Sequence, residues 1–224
     1  MLVTIPEVLN KEDISVILDL MASANFREGT SSAGSEAKRV KNNHEMFISE
    51  IETQRLNNLV MGKLVKNPTY IAAAFAARIA APYYAKYTTG MHYGNHVDDP
   101  VMGPPNQRYR SDISITIFLN EPDAYDGGEL VISTAFGEQK VKLNAGDAVL
   151  YPSSSTHRVA EVTRGERLVA VTWLQSTVRD PARREILFNL GQAREKLIET
   201  APGSSELELL SNSYCNLVRM WSDI

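Results

Sequence analysis

Two histidines and two aspartates stand close together in the segment MHYGNHVDDP, residues 91–100, and these side chains are suited to binding a metal ion. On an extended strand, side chains at positions i and i+2 lie on the same face, so His96 and Asp98 can bind one ion together. His92 precedes His96 by four residues, which is about 13 Å along a strand and too far to share the ion. The spacing predicts two ligands here, and a third must come from elsewhere in the chain.

His157, in the segment YPSSSTHRVAEV, is the expected third ligand because it follows a buried-looking strand at the mouth of the predicted sheet. His44 lies beside a helical pattern, and we expect it to be a surface or capping residue. Two imidazoles and one carboxylate on one side of a metal leave adjacent positions open, as in non-haem Fe(II) oxygenases. A catalytic zinc with three protein ligands fits the same residues, so the spacing leaves both metals open.

Arg167 stands at the start of the apolar run ERLVAVTWLQ, ten residues after His157. By itself this position is typical of an arginine at the end of a strand, with its guanidinium in solvent. Beside a metal site, the same guanidinium would suit the far carboxylate of a dicarboxylate cosubstrate, which it can bind through a bidentate fork. Trp173, in the same run, is expected in the core.

Helical patterns dominate residues 1–82 and would place a helical layer ahead of the site. Apolar residues recur at helical spacing in NKEDISVILDLMASANF, where Asn10 can cap, and in EMFISEIETQRLNNLVMGKLV, and TYIAAAFAARIA adds an alanine-rich helix. Residues 29–43 between the first two are small and polar. We expect a surface loop there, and we regard it as a candidate lid over the site.

Short alternating segments follow from residue 83 and predict an antiparallel jelly roll. In SDISITIFLN, one face carries Ile113, Ile115, Ile117 and Leu119, and the other carries Ser114, Thr116 and Phe118. The helical period returns after Gln175. The sequence therefore predicts an α+β fold: residues 1–178 form one domain, with N-terminal helices over 1–82 and the jelly-roll core over 83–178, and residues 179–224 form a C-terminal helical hairpin.

Composition limits the partners and the compartment. The 224 residues carry a net charge of −4, which gives no general attraction to nucleic acid or to anionic membranes. The single cysteine, Cys215, excludes an internal disulfide and is expected to be buried on a helix, which fits a reducing cytoplasm. The helical hairpin can pack against the sheet or form a homo-oligomer through Leu207, Leu210, Leu217 and Met220.

The ordered set of motifs resembles the Fe(II)- and 2-oxoglutarate-dependent dioxygenases, specifically their prolyl-hydroxylase-like branch. H-V-D, the later His157 and Arg167 carry this resemblance. The wider chain is similar to the bacterial PKHD-type hydroxylases over nearly its full length, through Y-x-x-G-M-H-Y-G-N-H-V-D, D-G-G-E-L, G-D-A-V-L-Y-P-S-S-S-T-H-R-V and the helical tail. H-x-D alone would be a weak signal, whereas the ordered set is a strong one.

The resemblance implies a role for each of these residues. His96, Asp98 and His157 would hold Fe(II), and Arg167 would bind the distal carboxylate of 2-oxoglutarate. Tyr87 would support that carboxylate and Tyr93 would lie near the metal on the substrate side, although ordinary strand packing is the alternative for both tyrosines. With O₂, the implied reaction converts 2-oxoglutarate to succinate and CO₂ and hydroxylates a substrate, and L-ascorbate restores oxidised iron.

The substrate and two rival functions stay open at this point. Kinship with prolyl hydroxylases implies a peptidyl or free amino acid, whereas the association of the bacterial subgroup with iron uptake implies a siderophore or another small metabolite. A non-catalytic sensor of iron or 2-oxoglutarate on the same fold is the main alternative. A zinc enzyme of cupin-like fold is the second, and it would act without O₂.

Overall fold

The computed structural model describes residues 1–32, 34 and 36–224, which form five α-helices and sixteen strands. The helices are α1 Lys11–Ser23, α2 Glu50–Leu64, α3 Pro68–Ala74, α4 Pro181–Thr200 and α5 Ser205–Trp221. The strands are β1 Val3–Ile5, β2 Asn25–Glu28, β3 Lys41–Asn42, β4 His44–Phe47, β5 Ala76–Ile79, β6 Tyr83–Thr88, β7 His92–His96, β8 Val101–Met102, β9 Tyr109–Arg110, β10 Ile113–Phe118, β11 Tyr125–Gly127, β12 Leu130–Thr134, β13 Gly137–Val141, β14 Ala148–Pro152, β15 His157–Val159 and β16 Val162–Ser176.

Two antiparallel sheets and a small hairpin contain these strands. The major sheet has the order β1-β14-β10-β16-β6-β4-β2, with β5 and β11 also paired to β16. The minor sheet has the order β13-β12-β15-β7-β3, and β8 pairs with β9 alone. Neighbouring strands are mostly far apart in sequence, which is how side chains from distant segments come to face one another across the interior. This is the predicted jelly roll.

The alternation predicted for SDISITIFLN sorts its side chains between two cores. Ile113, Ile115 and Ile117 pack with α1, α2 and α3 in a helix-side core. Phe118 packs instead between the sheets, with residues of β6, β12, β13 and β15. Because both faces of β10 are covered, the hydroxyl of Ser114 is completely buried and must find a partner inside the protein.

The N-terminal region contains more strand than its sequence pattern predicts. α1 begins at the predicted cap, where Asn10 accepts a hydrogen bond from the backbone N–H of Asp13. The second predicted helix starts later than expected, because residues 44–47 form β4, and the third ends at Ala74, after which residues 76–79 form β5. Residues 29–43 are not a plain surface loop, since they include β3, which pairs with β7 in the minor sheet.

The C-terminal hairpin packs α4 along α5, and Asp180 caps α4 as its sequence predicts. No residue of α5 is buried: Leu207, Leu210 and Leu217 are half-buried and Met220 is 72% exposed. Cys215 is exposed, which contradicts the expectation of a buried thiol. Oligomerisation through this hairpin stays a prediction. None of the described helices is both long enough and apolar enough to cross a membrane.

Candidate metal centre

The three predicted ligands lie together between the two sheets. His96 ends β7, Asp98 follows in the next loop, and His157 begins β15, directly opposite His96 in the pairing of the two strands. One ligand atom from each of the three lies within 4.8 Å of the others. Nε2 of His96 is 3.9 Å from Oδ1 of Asp98, and Nε2 of His157 is 3.8 Å from Oδ2. These separations leave space for one ion at the centre.

The outer nitrogen of each imidazole is held by the backbone. Nδ1 of His96 donates to the carbonyl of Gly94 at 2.8 Å, and Nδ1 of His157 donates to the carbonyl of Ser155 at 2.9 Å. A carbonyl can only accept, so the proton lies on Nδ1 and the lone pair of Nε2 faces the centre. Burial and the neighbouring His157 lower the pKa of His96 to about 4, which keeps this imidazole neutral at pH 7.

The carboxylate of Asp98 is fixed from the opposite sheet. Ser114 donates a hydrogen bond of 2.5 Å to Oδ2, and the hydroxyl of Ser153 lies 2.7 Å from that of Ser114. Ser114 and Ser153 are both buried. Sequence reasoning does not assign a site role to either serine, although the position of Ser114 on a strand with two covered faces is a usable signal.

Arg167 lies in the same interior, on β16 opposite Tyr87 of β6. Arg167 is only 2% exposed, which excludes the alternative of a strand-end arginine in solvent. The carbon at the centre of its guanidinium lies 5.1 Å from the ring centroid of Tyr87 and 5.6 Å from that of Phe118. No carboxylate of the described residues forms an ion pair with it, and its Nε lacks a hydrogen-bond partner among them. A buried cation without a counter-ion is costly, so this position suits an anionic ligand.

The D-G-G-E-L motif makes room for that arginine. Gly128 has a φ of +67°, and a Cβ placed there would lie 3.0 Å from the ring of Tyr125 and 3.1 Å from Cδ of Arg167. Gly127 has a φ of +70°, and a Cβ would overlap the carbonyl oxygen of Glu161. Both positions therefore require glycine for conformation and for space.

The two tyrosines for which the sequence allows either a site role or strand packing both face the cavity. Tyr87 is buried, and burial raises its pKa to about 12 although the charge of Arg167 opposes the rise. The ring of Tyr93 stacks on His96 with centroids 3.7 Å apart and planes 13° apart. A β-bulge allows this contact, because two residues of β7, Gly94 and Asn95, lie opposite one residue of β15, Arg158, between the paired positions.

Tyr151 is a site residue that sequence reasoning misses. Its ring meets His157 edge-on at 5.0 Å, and burial together with the charge of Asp98 raises its pKa well above the ordinary value. The other two histidines do not join the cluster: His92 lies on β7 beyond the bulge, and His44 is half-buried on β4. Asp99 is exposed at the cavity edge and is not a ligand.

A cavity of about 1080 Å³ contains the triad and reaches Arg167. It exceeds the usual range for small-molecule sites, roughly 300–1000 Å³, so it can hold a substrate beside a cosubstrate. A buried ion pair lies in its wall, with Nζ of Lys41 2.7 Å from Oε1 of Glu45. The residues of the predicted lid that line the cavity are Ser32, Gly34, Ala37, Lys41 and Asn43, while residues 33 and 35 lie outside the described part of the chain.

Comparisons with known proteins agree with this geometry. A family model described as the 2OG-Fe(II) oxygenase superfamily matches residues 82–175, and one described as the PKHD-type hydroxylase C-terminal domain matches residues 181–223. A PKHD-type hydroxylase of Thioalkalivibrio sulfidiphilus is 50% identical over 224 residues, which is 100% of both chains. A PKHD-type hydroxylase of Alteromonas mediterranea is 43% identical over 226 residues, again with 100% of both chains covered.

Solved structures show the same fold at low sequence identity. A prolyl-4-hydroxylase of Pseudomonas putida has a TM-score of 0.53 and 18% identity, over 78% of this chain and 92% of the other. A prolyl hydroxylase of Trichoplax adhaerens, in complex with a hypoxia inducible factor peptide fragment, has a TM-score of 0.57 and 16% identity, over 78% and 83%.

Proposed function

Because the chain belongs to the 2OG-Fe(II) oxygenase superfamily and, within it, to the PKHD-type hydroxylases, we propose that it hydroxylates a substrate with Fe(II), O₂ and 2-oxoglutarate. One observation carries the proposal: a cluster of two histidines and one aspartate shares a cavity with a buried arginine that has no ion-pair partner among the described residues. The cluster suits a divalent cation, and the arginine suits the far end of a dicarboxylate bound to that cation.

The donor set fits Fe(II). Two neutral imidazoles and one carboxylate are the facial ligands that non-haem iron oxygenases use. His96, Asp98 and His157 would hold the ion, and Asp98 would offset one of its two positive charges. When bound, Fe(II) with 2-oxoglutarate and O₂ supplies the oxidative decarboxylation to succinate and CO₂ that drives hydroxylation of a substrate C–H bond.

The other residues position the cosubstrate and exclude water. Arg167 would bind the distal carboxylate, with Tyr87 beside it, and Gly128 keeps the space that this arginine occupies. Tyr93 holds the plane of His96 by stacking against it. The apolar packing around β6, β10 and β16 gives the charged end of the cosubstrate a site of low dielectric, where the ion pair with Arg167 is strong.

The proposal includes four finer points. L-ascorbate is the reductant that would restore oxidised iron. Residues 1–178 would form the oxygenase domain and residues 179–224 its C-terminal extension. Residues 29–43 would act as a lid, supported by their place along the cavity. The setting would be bacterial iron uptake or homeostasis, which predicts that loss of the activity impairs growth on limiting iron.

Succinate formation by anaerobically purified protein tests the function. The protein is supplied with Fe(II), 2-oxoglutarate, ascorbate and air, and wild type is compared with Asp98→Ala and Arg167→Ala. Asp123→Ala and Arg164→Ala serve as matched controls, since both residues are exposed and Arg164 lies on the same strand as Arg167. We expect slow uncoupled succinate formation in wild type and both controls, no succinate in Asp98→Ala, and recovery in Arg167→Ala only at high 2-oxoglutarate.

The other outcomes separate the rival functions. Tight binding of iron and 2-oxoglutarate without succinate, even with candidate substrates present, would favour the non-catalytic sensor. Turnover that persists without O₂ would favour a zinc enzyme. Failure to bind either iron or 2-oxoglutarate would contradict the site.

A further inference from the structure

Aromatic side chains line the end of the cavity nearest β8 and β9, and none of them has a role in the proposed binding of Fe(II) or 2-oxoglutarate. Tyr83 and Trp173 meet edge to face, with ring centroids 5.8 Å apart and planes at 71°. Tyr83 is 42% exposed although it lines the cavity, so its ring is accessible to a ligand. Tyr109 lies on the same wall, and its hydroxyl donates to the sulfur of Met102 at 3.6 Å. Trp173 is therefore part of the cavity wall, not a core residue as its sequence context predicts.

This aromatic wall, formed by Tyr83, Tyr109 and Trp173, lies beside the metal ligands. Trp173 on β16 is paired with Ser114 on β10, and Ser114 donates to Asp98. Tyr109 lines the same cavity as the triad, and burial, with smaller contributions from Tyr83 and the charge of Asp98, raises its pKa. A molecule resting on the wall would therefore be next to the reacting centre.

Two arginines without carboxylate partners line the same end of the cavity. Arg78 is exposed on β5 and donates a hydrogen bond of 3.2 Å to the carbonyl of Arg108, whose own side chain is exposed. Neither forms an ion pair with a carboxylate of the described residues, whereas the Lys41–Glu45 pair across the cavity is internally neutral. The lining has two further carboxylates: Asp98, the proposed metal ligand, and Asp99, which lies against Gly34 on the side of the predicted lid. The aromatic end therefore has an excess of positive charge.

Trp173 contributes its ring to this wall. Its indole N–H is buried and has no acceptor among the described residues, so it is not open to a ligand. Aromatic faces and guanidinium groups together match a flat ring with a negatively charged edge.

We propose that the substrate carries an aromatic ring with an anionic oxygen group, and that the ring packs on Tyr83, Tyr109 and Trp173 with its charge against Arg78 and Arg108. This inference rests on the proposed oxygenase function and names its substrate class. A neutral prolyl peptide would leave both guanidinium groups without an anion, so the observations favour the small anionic ring over the peptide.

Fluorescence of Trp173 provides a test that does not require turnover. The chain has two tryptophans, so Trp221→Phe leaves Trp173 as the sole reporter. The protein is titrated anaerobically with Zn(II) and saturating 2-oxoglutarate present, so that Arg167 is occupied. The probes are benzoate, cyclohexanecarboxylate with the same charge but no aromatic ring, benzyl alcohol with the ring but no charge, and the blocked tripeptide acetyl-Ala-Pro-Gly-amide.

We expect benzoate to quench Trp173 saturably and to bind about tenfold more tightly than either matched probe. Replacing both arginines, Arg78→Ala with Arg108→Ala, should weaken benzoate binding about tenfold, while Arg219→Ala on α5 should leave it unchanged. Tyr83→Leu, at an exposed position that folding should tolerate, should weaken it as well. Three results would overturn the proposal: equal affinity for the three small probes, tighter binding of the tripeptide than of benzoate, or unchanged benzoate binding by the double arginine variant.

A succinate assay on the same preparation separates this inference from the function on which it rests. Succinate formation without selective benzoate binding would leave the oxygenase in place and reject the aromatic substrate class. Selective benzoate binding without iron or 2-oxoglutarate binding would reject the oxygenase and leave the ring site as a binding site only.

Discussion

Ser114 donates a hydrogen bond of 2.5 Å to the carboxylate of Asp98, although the two residues belong to different segments of the fold and are sixteen positions apart. The hydroxyl of Ser153 lies 2.7 Å from that of Ser114 and extends the contact to the end of β14. Asp98 is in a loop, where a carboxylate would otherwise rotate freely. The serines therefore connect the proposed metal ligand in the loop to rigid strands of the major sheet.

Ser114→Ala should weaken metal binding about 10- to 100-fold, because a metal ligand that loses its outer hydrogen bond is less well oriented. Ser153→Ala should have a smaller effect, since Ser153 contacts Asp98 only through Ser114. The measurement is an anaerobic Co(II) titration in competition with a chelator, with far-ultraviolet circular dichroism as the check on folding. Equal affinities of wild type and Ser114→Ala would show that Asp98 is held by other means.

Arg167→Met should improve the stability of the ligand-free protein while it impairs binding of 2-oxoglutarate. Methionine fills similar space without a buried charge, so the free energy of unfolding should rise by about 1 kcal/mol or more. Loss of the charge-assisted hydrogen bonds should raise the KM for 2-oxoglutarate by about 10- to 100-fold. Thermal unfolding measures the stability, and succinate formation at increasing 2-oxoglutarate concentration measures the KM. Arg164→Met on the exposed part of β16 is the control. A less stable Arg167→Met protein would indicate that the arginine is structural.

The triad and Arg167 can be predicted because short motifs in a fixed order carry them. The position of Tyr93 cannot be derived from strand alternation, because alternation places it on the face opposite His96 and only the bulge in β7 brings the two rings together. The sequence pattern predicts that Glu45 begins a helix, but Glu45 lies on β4. The apolar residues around it are few and fit both the helical and the strand period, so the pattern alone could not separate the two. Contacts such as Ser114 with Asp98 depend on strand order, which one sequence does not determine.

Gly128→Ala should raise the KM for 2-oxoglutarate more than it lowers metal affinity. The added Cβ would press on Cδ of Arg167 at 3.1 Å and on the ring of Tyr125 at 3.0 Å, and the φ of +67° adds strain of about 1–2 kcal/mol. Gly203→Ala is the matched control, because Gly203 has a φ of +80° and no atom lies within 4 Å of the position that a Cβ would take there. If both variants lose stability but only Gly128→Ala raises the KM, the glycine acts through Arg167. An unchanged KM in Gly128→Ala would contradict this role.

The Lys41–Glu45 pair should show strong coupling in a double-mutant cycle. Both side chains are nearly buried, with Lys41 9% exposed and Glu45 5% exposed. Lys41 also donates a hydrogen bond of 2.9 Å to Ser32. Because Ser32 and Lys41 belong to the proposed lid and Glu45 belongs to β4, the pair connects the lid to that strand. Removing one partner leaves the other charge buried and should cost about 3–5 kcal/mol, so Lys41→Met and Glu45→Leu should each destabilise the protein. The double variant, which buries neither charge, should recover most of the loss. Urea unfolding of the four proteins measures the coupling, and losses that simply add would mean that water already solvates the pair.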